Sequence, residues 1–193
     1  MKKLILFICS MSLAMVVQAQ SFSFGPKAGL NISNYTGGDF QSDALVGGHL
    51  GGLLNFGIGN SFSIQPEVLF STQGAKIDVA GQKRDYKTSY VTLPVMFKFK
   101  SRAGVYFEFG PQAGFRTSDD IPDQTIDQFA KNLDISGAVG VGYQAPFGLG
   151  FGLRYLAGLS KVGDFQPGNE INPDFKNSVV QFSLFYAIPV VKK

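Results

Sequence analysis

Apolar and polar residues alternate along most of this chain. From Phe22 to Ile32 one phase reads Phe22, Phe24, Pro26, Ala28, Leu30 and Ile32, and the other reads Ser23, Gly25, Lys27, Gly29, Asn31 and Ser33. A period of two belongs to an extended strand, whose successive side chains point to opposite faces; a helix would scatter the same residues around its axis. The pattern recurs over Val46–Ile58, Phe62–Gln73, Val91–Lys100, Val105–Arg116, Leu133–Gln144, Leu149–Leu159 and Val180–Ile188. These eight segments run to about 9 to 13 residues, and a strand that crosses a bilayer at about 45° needs about 9 to 11.

The apolar phase carries no charge in any of the eight, while His49, Asn55, Glu67, Lys98, Glu108 and Arg154 all fall in the other phase. A charge facing lipid at mid-depth costs about 2–4 kcal/mol, so this exclusion is what lipid contact requires. An open sheet edge cannot be satisfied in hydrocarbon, and an even strand number closes a barrel. The expected fold is therefore all-β: an eight-stranded antiparallel up-and-down transmembrane β-barrel. Short links at Gly59-Asn60-Ser61, Ser101-Arg102-Ala103 and Pro146-Phe147-Gly148 alternate with long ones over Asn34–Leu45, Ala75–Ser89, Thr117–Lys131 and Ser160–Asn177. In outer-membrane barrels the short turns are periplasmic, which predicts both termini there and the long loops outside the cell. Pro26, Pro66, Pro94 and Pro111 fall inside these strands, where each removes a ladder donor, and bulges are expected at them.

The first residues follow different rules. Lys2 and Lys3 precede an apolar run over Leu4–Val17 and a small-residue site at Val17-Gln18-Ala19, the layout of a secretory signal peptide cut after Ala19. An anchor helix would need about 20 apolar residues, more than this run holds. A lipoprotein reading of Leu6-Phe7-Ile8-Cys9 meets a bulky Ile before the Cys. The organisation is thus a signal over 1–19 and one barrel domain over 20–193. Removing Lys2 and Lys3 takes the formal charge from +3 to about +1, which gives no case for nucleic acid. Cys9 leaves as well, and with it disulfides, thiol catalysis and thiolate metal sites. Charged residues make up 16 % of the chain, against about 25 % in soluble domains, while Gly 24 and Phe 19 are both high.

Several segments carry a family resemblance. Gly25-Pro-Lys-Ala-Gly-Leu-Asn-Ile-Ser33, Ile64-Gln-Pro-Glu-Val-Leu-Phe-Ser-Thr-Gln-Gly-Ala-Lys76, Tyr90-Val-Thr-Leu-Pro-Val95, Tyr106-Phe-Glu-Phe-Gly-Pro-Gln-Ala-Gly114 and Gly148-Leu-Gly-Phe-Gly-Leu-Arg-Tyr155 resemble the PorT-like outer-membrane β-barrel family of Bacteroidota. The resemblance spans essentially the whole mature chain. It implies the eight-stranded barrel and the outer membrane, and little about activity: the name-giving member is linked to protein secretion, and no motif here singles out that branch. Gly25-Pro-Lys-Ala-Gly-Leu30 also echoes Gly110-Pro-Gln-Ala-Gly-Phe115 within the chain.

The polar phase supplies the candidate site. Lys27, Glu67, Lys98, Glu108 and Arg154 each sit about five or six residues from the short-turn end, and are expected at one height in the lumen. An eight-stranded barrel is narrow enough for side chains to fill, and charges buried there must pair. A salt-bridged structural plug is the leading reading, and an ion or proton path the alternative. His49 is the single histidine; without Cys it makes a poor metal site, so no metal and no cofactor is expected. The expected function is non-enzymatic: an integral outer-membrane barrel with a plugged polar lumen, structural or interacting through its extracellular loops. A lipid A-modifying enzyme, a secretion-associated barrel component and a soluble lipocalin-like binder are the alternatives. Expected partners are outer-membrane lipid, lipopolysaccharide and envelope or secretion proteins, and the expected oligomeric state is a monomer.

Overall fold

The computed structural model describes residues 21–36, 42–79, 82–120, 133–160 and 176–190. The expected signal peptide lies outside them. Every regular element among the described residues is a strand: β1 (Ser21–Thr36), β2 (Ser42–Ile58), β3 (Phe62–Val79), β4 (Gln82–Lys100), β5 (Val105–Asp120), β6 (Leu133–Gln144), β7 (Leu149–Gly158), β8 (Lys176–Tyr186) and β9 (Ile188–Val190). β1 to β8 each pair antiparallel with their chain neighbours, and β1 closes the ring by pairing with β2 on one side and with β8 and β9 on the other. β9 continues β8: Lys27 faces Phe185 and Phe24 faces Ile188 in one unbroken register. The barrel therefore has eight staves.

The faces follow the sequence phase. Leu30, Val46, Leu50, Phe151 and Leu184 point outward, each about 60 % exposed, and Lys27, Glu67, Lys98, Glu108 and Arg154 point inward, each 4 % exposed or less. Phenylalanines gather on the outer face near the short turns. Phe62 meets Phe99 at 4.9 Å, Phe97 meets Phe109 at 5.7 Å, and Phe22 meets Phe56 at 5.1 Å. In a chain without Trp these rings supply the aromatic belt of the turn end.

The turns are built as the short links predict. Gly104 N–H bonds Ser101 O and Gly148 N–H bonds Ala145 O, at 3.0 and 2.9 Å. Both glycines have positive φ, 92° and 102°, where a side chain would be strained. Gly59, at 72°, serves the third turn.

The long links differ from expectation. β3 runs to Val79 and β4 begins at Gln82, in one register from Phe62↔Phe99 to Val79↔Gln82, so most of the Ala75–Ser89 segment is hairpin and not loop. β1 reaches Thr36, β2 starts at Ser42 and β5 extends to Asp120. The apolar alternation is required only where the wall faces lipid. Backbone pairing needs no apolar side chain and continues past that level.

The prolines also correct the reading. None marks a register shift. Each coincides instead with a break in pairing on one side only, with the same register above and below: Pro26 between β1 and β8/β9, Pro66 between β2 and β3, Pro94 between β3 and β4, Pro111 between β4 and β5. A strand residue directs its N–H to one neighbour, so a proline removes one bond on that side and leaves the other ladder intact. The two register shifts among the described residues lie elsewhere, at Ala44/His49 in β2 and at Ser89/Tyr90 in β4.

Candidate functional site

The inward faces of β1, β3, β5 and β7 each contribute one charge to a single buried cluster. Lys27 Nζ donates to both Glu67 carboxylate oxygens at 3.0 Å. Arg154, on the stave opposite β3, reaches across the lumen and grips Glu67 with both terminal nitrogens, Nη1 to Oε2 at 3.0 Å and Nη2 to Oε1 at 2.9 Å. Its Nε and Nη2 also donate to Glu108 Oε1, at 2.9 and 2.7 Å. Gln65 Nε2 adds a fourth donor group to Glu67 at 2.8 Å. Two cations and two carboxylates compensate one another, and the forked Arg–carboxylate geometry is the strongest form of such a pair.

Glycine makes the reach possible. Gly140 of β6 lies between Glu108 and Arg154 in the ladder. A Cβ on it would stand 3.2 Å from Glu108 Cγ and Oε1. Bare backbone at that position lets two charged side chains meet over an intervening stave.

Apolar residues close the cluster on both sides. Toward the turns, Leu53, Tyr106, Phe185 and Ala187 pack together; toward the opposite end, Met96, Ala138, Leu156 and Val179 do. These inward hydrophobics escaped the sequence reading, which made the lumen polar. Their signal was present as breaks in alternation: Leu53-Leu54, Val68-Leu69-Phe70 and Val179-Val180 each place one apolar residue in the lumen phase.

Lys98 stands apart from the other four. Glu108 is its register partner, yet Glu108 Oε1 is taken by Arg154. The Lys98 ammonium sits instead over the rings of Tyr106 at 3.8 Å and Phe185 at 4.6 Å, with Gln144 Oε1 at 3.4 Å. The reason is geometric: strands are tilted and staggered, so inward residues of alternate strands share a layer, and β4 is out of step with β1, β3, β5 and β7.

His49 points into the lumen as its phase predicts. Its Nδ1 lies 2.8 Å from Asn31 Oδ1 and its Nε2 2.9 Å from Ser183 Oγ. Asn31 Nδ2 is committed to Gly48 O, Ser71 Oγ and Thr72 O, which fixes Oδ1 toward the imidazole. The bonding then assigns the imidazole proton to Nδ1 and leaves Nε2 to accept from Ser183. This hydroxyl–imidazole–amide order is that of an activated serine, a pairing the sequence reading did not foresee. All three side chains lie inside the filled lumen, none more than 9 % exposed. Among the described residues no group of three or more His, Cys, Asp or Glu side chains is placed to hold a metal ion.

Comparison with known proteins fits this architecture. Residues 18–164 match the family described as Outer membrane protein beta-barrel domain. No curated protein matches the sequence significantly. Among solved structures, the chain resembles Neisserial surface protein A (TM-score 0.52, 14 % identity, covering 86 % of this chain and 96 % of that one). It also resembles OprG of Pseudomonas aeruginosa (TM-score 0.53, 10 % identity, covering 91 % and 98 %). At such identities the likeness shows the fold alone. The family match spans most of the chain, and the protein belongs to the outer-membrane β-barrel domain family.

Proposed function

We propose that this protein is a non-enzymatic integral barrel of the bacterial outer membrane whose lumen is plugged, and that it acts as a structural element or through partners met at its long-link end. The observation that carries the reading is the layered lumen: a compensated charge cluster between two apolar layers, with Arg154 bridging opposite staves. Side chains so arranged, among the described residues, support a lumen closed to solutes. The three short turns at one end support placing both termini in the periplasm, and the partners are outer-membrane lipid, lipopolysaccharide and envelope or secretion proteins. A monomer suits a barrel whose edges are already paired. The test is electrical. Pure protein in planar bilayers should give no stable stepwise conductance, and reproducible open channels would overturn the plugged reading.

A second reading, a lipid-modifying hydrolase, has one observation in its favour, the Ser183–His49–Asn31 order. Against it, Ser183 lies within the ladders to Gly152 and Gly29, so its neighbouring backbone donors are engaged in strand pairing. A serine-directed fluorophosphonate that labels the folded protein, and not Ser183→Ala, would favour the hydrolase.

A further inference from the structure

Lys98 is 1 % exposed, and no carboxylate pairs with it among the described residues. The charge cluster does not explain it, because Lys27, Glu67, Glu108 and Arg154 already compensate one another. Beside it is a cavity of about 90 Å³ at the turn end of the barrel, bordered by the Gly59 to Ser61 turn. A void of that size holds several waters. Its lining includes Lys98, Lys100, Asn55, Ser61, Ser63 and Gln144, and contains no Asp or Glu. Lys98 and Lys100 thus border one small polar cavity whose lining, among the described residues, carries no carboxylate. The remaining groups supply neutral donors: Asn55 Nδ2 donates to Ser63 Oγ at 3.0 Å, which leaves the Ser63 hydroxyl hydrogen free to point elsewhere.

A buried cation is stable when it is paired or hydrogen-bonded. The rings of Tyr106 and Phe185 cover one side of the Lys98 ammonium, and Gln144 gives it one long bond. Lys98 and Gln144 both border the cavity. We propose that this mouth binds a small oxyanion, a carboxylate or a phosphate group, with Lys98 as the deep cation, Lys100 as the outer one and Ser63 as a neutral donor. The two ligand types share their chemistry, a compact negative oxygen cluster that accepts from ammonium and hydroxyl. They differ in source: a carboxylate would come from a peptide terminus or acidic side chain, a phosphate from free phosphate or a phosphorylated headgroup.

The full mature barrel, isotope-labelled in detergent micelles, is titrated with inorganic phosphate and separately with acetate, each against sodium chloride at equal ionic strength. The expected result is saturable shifts confined to the amides around Ser63, Lys98 and Gln144. Lys98→Met should weaken binding about tenfold or more, the worth of a charge-assisted bond. Lys100→Gln, nearer the rim, should weaken it by up to about fivefold, and Lys176→Gln at the opposite end should leave it unchanged. Saturation by acetate alone assigns the site to carboxylates, by phosphate alone to phosphates, and by both to either. Shifts that chloride reproduces, that grow without saturation, or that survive in both Lys98→Met and Lys100→Gln overturn the proposal.

Discussion

Glu67 shows how much one lumen position has to satisfy. It accepts from Lys27, Arg154 and Gln65, and it is buried at 3 % exposure. Such a carboxylate is tolerable only while its donors remain, because breaking a buried pair costs about 3–5 kcal/mol whereas removing both partners costs less. Arg154→Met removes the hydrogen bonds that Glu108 accepts from Arg154 and leaves Glu67 with Lys27 and Gln65. In a urea titration of the barrel refolded into vesicles, it should lose about 3–5 kcal/mol, with Glu108→Leu restoring part of that loss in the double variant. The coupling should be about 1–3 kcal/mol. Lys98 faces Glu108 in the ladder but bonds elsewhere, so Lys98→Met and Glu108→Leu should come closer to additivity. Equal coupling in the two cycles would show that register, and not the Arg154 fork, governs the pairing. Sequence phase does not separate the two pairings, because it measures distance along the chain and not the height at which a side chain meets its neighbour.

At the scale of the strand, the Gly-Pro echo acquires a cause. Pro26 and Pro111 each lack the N–H that would bond the next stave, and in both cases the carbonyl across the gap lies against the glycine before the proline. A Cβ on Gly25 would stand 1.7 Å from Tyr186 O, and one on Gly110 2.0 Å from Val95 O. Tyr186 and Val95 stand opposite Pro26 and Pro111 in the gaps of the two ladders. The same local demand thus arises in β1 and in β5, which explains the similarity of the two segments without requiring a duplication. Gly25→Ala and Gly110→Ala should each destabilise by about 1–3 kcal/mol, since backbone must move. Gly137, whose Cβ would meet nothing within 4 Å, should accept Ala with little change or a gain of about 0.4–1 kcal/mol. Chemical denaturation midpoints of the three variants rank them, and equal midpoints would remove the close-approach explanation.

At the scale of the whole molecule, the described strands rise to different extents from one end. β1 to β5 hold 16, 17, 18, 19 and 16 residues, and β6 to β8 only 12, 10 and 11. The three short turns align at one end, and the described strands extend on the other, where Asp43, Lys76, Asp85, Lys87 and Lys176 carry outward or rim charge. Lys76 Nζ lies 3.9 Å from Asp85 and Lys87 Nζ 3.5 Å from it, both exposed enough to be of small energetic weight. If that rim faces the medium, a membrane-impermeant maleimide on intact cells should label Thr117→Cys and spare Arg102→Cys, both exposed positions at opposite ends. Only Cys9, within the expected signal, competes in the sequence. Labelling of Arg102→Cys alone would invert the barrel.

The sequence by itself determined the number of staves, the face the charged residues take, the three tight turns and the exclusion of charge from the outer surface. All of these are local: lipid on one side and lumen on the other impose a period of two, and a turn is written in a few adjacent residues. Only the tertiary structure decided which lumen groups meet. The tilt and stagger of a closed ring brought Arg154 to Glu67 from the opposite stave, set Lys98 in a different layer beside an anion-free cavity, and joined Ser183 to His49 across 134 positions of chain. It also decided how far the hairpins rise, because hydrogen-bonded pairing continues where the hydrophobic signal ends.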